Sequence, residues 1–456
     1  MNSELTIDSE IKSVPSNLLV QNIFKRLQAA GIAYCLLRGA DELQNTSDFL
    51  EIDLLVPKSQ LCKLADCVAE LGFVPWPAWG HAPHRFFLAF EKSRNNWVKL
   101  DVVTDIFFGA PIRKFRVNLA ETFLRERVQR DISMLSPAHE FIALLLHGLL
   151  DKNQIRAAHR RRLIQLWRQR DEAFERKVES FSQRFLAPAI SMAFLEQVLA
   201  TKDWSAIEAK RRELTIQFRK RDPWSSTWHA LYNRLLQRLR PLLFALHQRG
   251  LAVALLAPDG AGKSSLAVAL TNDLRLKARR VYLGGNVQAR TVKLPGSAWL
   301  HQHIKSRNGR AASKNPFQIW LKGLNFCNKL LERWLCALVA HYHILRGRIV
   351  VFDRYIYDSW LHKKSDSVWK RIRRGLFEGG LPQPELVVLL DAPGDVLFQR
   401  KGEHSPAWLE QQRQSYLKLV DKISNMRVVD ATQSTESVKS EVTALIWQQY
   451  RESHKR

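Results

Sequence analysis

The sequence predicts an α/β fold for the C-terminal part of the chain, with a parallel sheet covered by helices on both faces. Two observations predict it. After Gly250, short apolar strands alternate with helical segments, and the first strand runs into a glycine-rich turn followed by a helix. Near-continuous apolar strands are typical of parallel sheets that are buried on both faces. Ahead of this part we expect a smaller α+β domain and a helical middle.

The C-terminal strands are predicted from short apolar runs between helical or polar segments. They are residues 251–257, 280–283, 349–352, 386–390 and 427–429. A longer apolar segment, residues 317–345, is interrupted by Lys322, Lys329, Glu332 and Arg333. A bilayer span needs about 20 mostly apolar residues, so this segment predicts a buried helix and no transmembrane segment.

The N-terminal part begins with helical spacing at residues 18–30, which Gly31 ends. Strands are predicted at 34–37, 51–56 and 97–103. From Pro137 the pattern is helical, and residues 156–170 contain six arginines and no acid. A connector is placed at residues 219–240. The predicted domains are therefore 1–135, a basic helical region with connector at 136–245, and 246–456.

Composition favours a multidomain globular protein in a reducing cytoplasm. The 456 residues include 70 Lys and Arg against 44 Asp and Glu, a formal charge of +26 that favours partners carrying phosphate or carboxylate groups. The five cysteines form no CxxC pair, so neither a zinc site nor a disulfide framework is predicted. The polar N-terminus lacks the features of a signal peptide, and no specific nucleic-acid motif is present.

The segment LAVALLAPDGAGKSSLAVAL is the strongest local motif, since it predicts a strand, a tight loop and a helix in that order. Backbone N–H groups of such a loop converge on phosphate oxygens at the helix N-terminus. Lys263 is predicted to reach the β and γ phosphates, and the Ser264 hydroxyl to bind Mg²⁺. The other cofactor-binding candidates are Asp259, Gly260, Ala261, Gly262 and Ser265. The motif departs from G-x-x-x-x-G-K-[ST] at Ala257, and a glycine-rich turn without nucleotide is the alternative.

Together with this motif, GRIVVFDRYIYDS resembles the thymidylate kinase-like branch of the P-loop kinases. The resemblance implies a phosphotransferase that uses ATP and Mg²⁺. By this likeness Asp353 would bind Mg²⁺ through water or face the acceptor, and Arg354 would hold the acceptor's phosphate. Phosphoryl transfer needs positioning and charge neutralisation, which suits these residue types. An ordinary structural ion pair is the alternative for both.

Two further segments extend the resemblance to the end of the chain. PELVVLLDAPGDVLFQRK is similar to the family's strand and basic lid, which implies that Arg400 and Lys401 are lid cations. Solvated charges at a helix end are the alternative. VVDATQSTESV resembles the last strand and the loop beside the nucleotide base, so Thr432 is a base neighbour by this likeness.

The acceptor is left open, because VYLGGNVQARTVKLPGS stands where thymidylate kinases carry their Arg-Glu-Pro-Gly-Gly stretch. We expect a nucleoside triphosphate and a small acceptor, either a nucleoside monophosphate or another phosphorylated or sugar-type molecule. The competing hypothesis is an ATP-sensing module whose basic helical region binds nucleic acid, membrane or acidic glycan. The oligomeric state is open, a homodimer included.

The N-terminal part contains three carboxylates on predicted strands. In YCLLRGADELQNTSDFLEIDLLV a turn at Arg38, Gly39 and Ala40 precedes Glu51 and Asp53, which share one strand face, and Asp101 lies in WVKLDVV. The arrangement resembles the polymerase-beta-type nucleotidyltransferases, which implies a second Mg²⁺ site at Glu51, Asp53 and Asp101. Unrelated surface acids, or a degenerate domain that only binds a partner, are the alternatives.

Overall fold

The computed structural model describes residues 17–39, 43, 49–109, 114–152, 154–272, 277–284, 291–292, 294–295, 297, 316–362, 372 and 375–454. The predictions for residues 1–16, for Ala40 and for most of residues 285–297 lie outside this part. The chain divides into two compact units, Met1–Arg240 and Pro241–Arg456. The predicted division into three domains stays a prediction.

The sheet of the first unit is mixed. Its strands are β1 (Cys35–Arg38), β2 (Phe49–Leu55), β3 (Val74–Trp76), β4 (His84–Glu91) and β5 (Asn96–Val103). They lie in the order β1-β2-β5-β4-β3, and only β2 and β5 pair in parallel. Two short strands, β6 (Phe107–Phe108) and β7 (Phe115–Arg116), form a separate hairpin. Strands β3 and β4 had no counterpart in the sequence predictions.

Strand alternation separates the core of this unit from its polar face. Ile52, Leu54 and Leu100 are fully buried against α1 (Leu18–Ala29) and α2 (Leu61–Glu70). Successive side chains of a strand point to opposite faces, so the residues between them point away from this core. Those residues include Asp53 and Asp101, which are paired in register on β2 and β5.

The remaining helices of the first unit share a second apolar core with the ends of β1, β2 and β5. Short polar side chains start several of these helices; Asp171, Ser191 and Asp203 each accept a hydrogen bond from a backbone N–H of the first turn. These helices are α3 (Ala120–Arg125), α4 (Pro137–Leu146), α5 (Ala157–Arg168), α6 (Glu172–Phe181), α7 (Met192–Thr201), α8 (Trp204–Ala209) and α9 (Arg211–Arg221). The next helix, α10 (Pro223–His247), continues past Arg240, where the first unit ends.

The second unit contains the predicted parallel sheet, which is confirmed. Its strands are β8 (Ala252–Leu256), β9 (Ala278–Tyr282), β10 (Ile349–Asp353), β11 (Leu386–Asp391) and β12 (Met426–Asp430), and every pairing among them is parallel. The helices are α11 (Lys263–Asn272), α12 (Pro316–Leu345), α13 (Gly394–Lys401), α14 (Pro406–Leu417) and α15 (Thr435–Ser453).

The strand order, β12-β11-β8-β10-β9, puts the first strand of this unit in the middle. From β8 the chain builds β9 and β10 on one side and β11 and β12 on the other. Ligands of open α/β sheets bind at such a switch point, beyond the carboxyl ends of the strands. Loop 257–262 follows β8 directly and therefore lies there.

Helix α12 corrects the prediction of a buried helix at residues 317–345. Cys336 and Ala340 are buried against the sheet, but Trp320, Leu338 and Tyr342 are all at least half exposed. The sequence pattern is apolar on both sides of the helix, so it does not show which side the sheet covers. Within the described residues, no helix is both long and apolar enough to cross a membrane.

Candidate active sites

Loop 257–262 has the geometry that a phosphate-binding turn requires. Gly260 and Gly262 have φ of +92° and +81°, a region that residues with a Cβ avoid. A Cβ on Gly260 would lie 2.7 Å from the carbonyl oxygen of Leu397. Ala257 does not have a positive φ, so its departure from the glycine of the motif introduces no backbone strain at this position.

Lys263 is buried at the start of α11, with 6 % of its surface exposed. Its Nζ donates a hydrogen bond to the carbonyl oxygen of Ala257 at 2.8 Å. Burial lowers the pKa of this ammonium group, although nearby carboxylates, Asp358 first among them, act in the opposite direction. Ser264 and Ser265 are exposed beside it. The site therefore holds one buried cation and two accessible hydroxyl groups.

Asp353 ends β10 and is completely buried. Its Oδ2 accepts hydrogen bonds from Nε and Nη2 of Arg280 on β9, at 3.0 and 2.5 Å. Its Oδ1 is buried and has no hydrogen-bond partner among the described residues. Sequence reasoning missed Arg280; the only signal was an arginine at the start of the predicted apolar strand 280–283.

Arg354 follows Asp353 and is one of four non-glycine residues in the described part with a positive φ, +72°. Its Nη2 donates to Asp259 Oδ1 of loop 257–262 at 2.8 Å. Burial acts to lower the pKa of Arg354, but Asp259 and Asp358 outweigh it and raise the pKa. The structure thus brings Asp259, Lys263, Asp353 and Arg354 together.

Asp358 is a site residue that the sequence analysis did not single out. It lies in the 3₁₀ helix Ile356–His362, and its Oδ1 accepts a hydrogen bond from the Tyr416 hydroxyl of α14 at 2.9 Å. Its Oδ2 is buried without a partner among the described residues. Burial raises the pKa of the carboxyl group, and the charge of Lys263 opposes that shift.

The predicted lid and base-side residues lie at the other side of β8. Arg400, at the end of α13, donates to the carbonyl oxygen of Ala431 at 2.8 Å, and the Thr432 backbone and hydroxyl both donate to Asp430. Lys401 pairs with exposed Glu403. The structure therefore places Arg400 beside the loop that carries Thr432.

A pocket of about 230 Å³ opens on the other flank of the sheet, lined by Tyr282, Gly284, Arg333 and Phe377 among others. The Arg333 guanidinium donates to the backbone oxygens of Phe377 and Leu283, each at 3.2 Å. Burial lowers the pKa of this arginine. The pocket thus presents a half-buried cation beside β9 and α12.

The three N-terminal carboxylates do meet in the first unit. Glu51, Asp53 and Asp101 each have an oxygen within 4.8 Å of the others, which suits a metal ion. They line a cavity of about 560 Å³ together with basic side chains that include Arg130, Lys152, Arg156 and Arg162. Sequence reasoning found the acids, but it did not find this cavity.

Each of these carboxylates is bound to a basic side chain. Lys99 contacts Glu51 at 2.6 Å, Arg38 contacts Asp53 at 2.5 Å, and His84 contacts Asp101 at 2.5 Å. Arg38 also lies 2.7 Å from Nδ1 of His147, whose pKa burial lowers to about 4. A metal ion would have to compete with these basic side chains for the carboxylates.

The fold and loop 257–263 define the class of the second unit, an α/β unit whose central strand leads through a glycine-rich loop into a helix. The sequence comparisons then specify the relatives. The chain is 28% identical over 195 residues to the probable thymidylate kinase of Archaeoglobus fulgidus, a match covering 41% of this chain and 90% of that protein. It is 26% identical over 215 residues to the thymidylate kinase of Leuconostoc mesenteroides, covering 41% and 91%.

A shorter match, 33% identical over 116 residues, is to the probable thymidylate kinase of Pyrococcus abyssi and covers 22% of this chain and 53% of that protein. A solved structure of thymidylate kinase from Candida albicans matches with a TM-score of 0.32 and 16% identity, over 44% of this chain and 93% of that one. No family model matches. The sequence matches therefore show thymidylate kinase homology over about two fifths of the chain.

Proposed function

We propose that the second unit transfers the γ-phosphoryl group of ATP to a small acceptor. One observation carries the proposal: Lys263, at the start of α11, and Asp353, at the end of β10, are both buried beside a loop whose glycines have positive φ values. Burying a cation and a carboxylate costs free energy unless each has a partner. Bound triphosphate and its metal ion supply such partners.

The donor set fits Mg²⁺, which prefers oxygen ligands. The exposed Ser264 hydroxyl and the unpartnered Oδ1 of Asp353 are the oxygens that would hold it, the carboxylate directly or through water. The bound ion would neutralise charge on the transferred phosphoryl group. Asp259, Gly260, Ala261, Gly262 and Ser265 complete the phosphate-binding loop in this proposal.

In the same proposal Arg354 and Arg400 act as mobile cations that exchange their protein partners for phosphate oxygens. Arg354 is bound to Asp259, and Arg400 to a backbone oxygen beside Thr432. Arginine pairs well with phosphate because its guanidinium group presents several donors in one plane. Thr432 would then lie near the nucleotide base.

The test is ADP release with ATP, Mg²⁺ and a panel of nucleoside monophosphates and sugars. Acceptor-dependent turnover by the full chain should disappear in Lys263→Ala and fall at least about 100-fold in Asp353→Asn, since each removes electrostatic stabilisation of the transferred group. Lys422→Ala, an exposed lysine of the same unit, is the matched control. Turnover in Lys263→Ala equal to that of the control would exclude the proposal.

We further propose that the first unit is a nucleotidyltransferase-like domain, with Glu51, Asp53 and Asp101 as its metal ligands. The observation that supports it is the position of these acids, on two parallel strands at the wall of a cavity lined by basic side chains. Such a cavity suits a nucleotide, because the acids attract metal ions and the cations attract phosphates. Titration with Mn²⁺ tests it: binding to the full chain should weaken in Asp53→Asn, and unchanged binding would exclude this assignment.

A further inference from the structure

One carboxylate that interacts with Lys263, that of Asp358, has no role in the proposed function. Asp358 lies close enough to Lys263 that this lysine is its strongest charged neighbour. Because Lys263 is the residue expected to contact the transferred phosphate, Asp358 lies beside the place where the acceptor must attack.

One oxygen of Asp358 is satisfied and the other is not. Oδ1 accepts a hydrogen bond from the Tyr416 hydroxyl group, with 2.9 Å between the two oxygens, and this bond fixes the orientation of the carboxyl group. Oδ2 is buried and has no hydrogen-bond donor among the described residues. An unpaired buried oxygen costs roughly 1–3 kcal/mol, more when it is charged. A group on a bound ligand that donates a hydrogen bond would remove that cost.

The unpaired oxygen of Asp358 favours a neutral hydrogen-bond donor over an acceptor phosphate. Of the cations that interact with Asp358, Lys263 and Arg354 are assigned to phosphate oxygens by the proposed function, and Arg333 is bound to two backbone oxygens. An acceptor phosphate would approach the Asp358 carboxylate as a like charge, which is unfavourable at a desolvated position. A hydroxyl group would instead donate its proton to Oδ2.

We propose that Asp358 is the general base of this kinase and that its acceptor reacts through a hydroxyl group, as a sugar or nucleoside does. The inference rests on the proposed phosphoryl transfer from ATP. The acceptor oxygen forms a bond to the γ-phosphorus, and the bond from that phosphorus to the β–γ bridging oxygen breaks. The electron pair of the broken bond stays on ADP, and the hydroxyl proton moves to Asp358 Oδ2.

The environment of Asp358 also suits a base. Burial raises its pKa, and a base whose pKa lies closer to the working pH removes protons more effectively. The charged and titratable groups that interact with it are Lys263, Arg354, Arg333, Asp259 and Tyr416. Of these, the three cations favour the ionised form of Asp358 and Asp259 opposes it.

The experiment compares hydroxyl acceptors with nucleoside monophosphates, using the full chain, ATP and Mg²⁺. Phosphorus NMR distinguishes a new phosphomonoester from a new diphosphate. We expect a phosphomonoester from the unaltered protein. We expect Asp358→Asn to lower kcat by about 100-fold or more, the usual contribution of a general base, while the Kd for ATP changes less than twofold. Tyr416→Phe removes only the orienting hydrogen bond, so its kcat should fall less than that of Asp358→Asn.

A pH profile separates a base from a structural residue. Log kcat of the unaltered protein should rise with pH to a plateau above the pKa of Asp358, and Asp358→Asn should lack that rise. If the unaltered protein phosphorylates only nucleoside monophosphates and the product is a diphosphate, the inference is overturned but the kinase function is not. This outcome is measured on the unaltered protein, so it does not depend on whether Asp358→Asn folds. Absence of any Lys263-dependent turnover with either acceptor class overturns both.

Discussion

Arg280→Met is expected to destabilise the second unit by breaking the ion pair with Asp353. Asp353 is fully buried, and its Oδ1 has no hydrogen-bond partner among the described residues. The change also removes both hydrogen bonds that Arg280 donates to Oδ2. Breaking a buried pair costs about 3–5 kcal/mol. Because the Arg280 side chain is 29% exposed, solvent partly replaces it. We therefore expect a loss of about 2–3 kcal/mol, somewhat below that range.

The assay is urea denaturation combined with hydrogen exchange of the β8 and β10 peptides, which reports the second unit alone. Lys401→Met is the matched control, since it breaks a pair with Glu403 in which the two side chains are 44% and 56% exposed. We expect the free energy of unfolding of that control to fall by less than about 0.5 kcal/mol. The double variant Arg280→Met/Asp353→Asn should recover part of the loss, because no buried charge remains. Equal losses in Arg280→Met and the control would refute the reasoning.

Three more predictions concern the two sites. Gly260→Ala should weaken ATP binding at least tenfold in calorimetry, because its Cβ would meet the Leu397 carbonyl and its φ is +92°; Gly375→Ala, with open space around it, is the control. Arg38→Met should tighten Mn²⁺ binding at the N-terminal carboxylates, measured by titration, since Asp53 loses its competing cation. The first unit should lose stability as pH falls from 6.5 towards 4, because the unfolded chain protonates His147 while the folded pKa is about 4. Between those pH values, the thermal unfolding temperature of His147→Gln should fall less than that of the unaltered protein.

Much of the second unit could be predicted because its signals are local. The strand, glycine turn and helix around Lys263 lie within one stretch of chain, and burial on both faces makes each strand apolar along its whole length. The predicted strands therefore agree with β8 to β12 to within a few residues. In the first unit, β3 is three residues long and contains Pro75, so no periodicity could reveal it.

By itself, the sequence determined which residues are candidates for the chemistry: a lysine after a glycine-rich turn, a carboxylate at a strand end and three acids on neighbouring strands. The tertiary structure alone decided what each of them contacts. Asp353 meets Arg280 across 73 positions of chain, Arg354 meets Asp259 across 95, and Asp358 meets Tyr416 across 58. A local pattern reports only how one segment folds, whereas these contacts follow from strand order and helix packing, which depend on the whole chain at once.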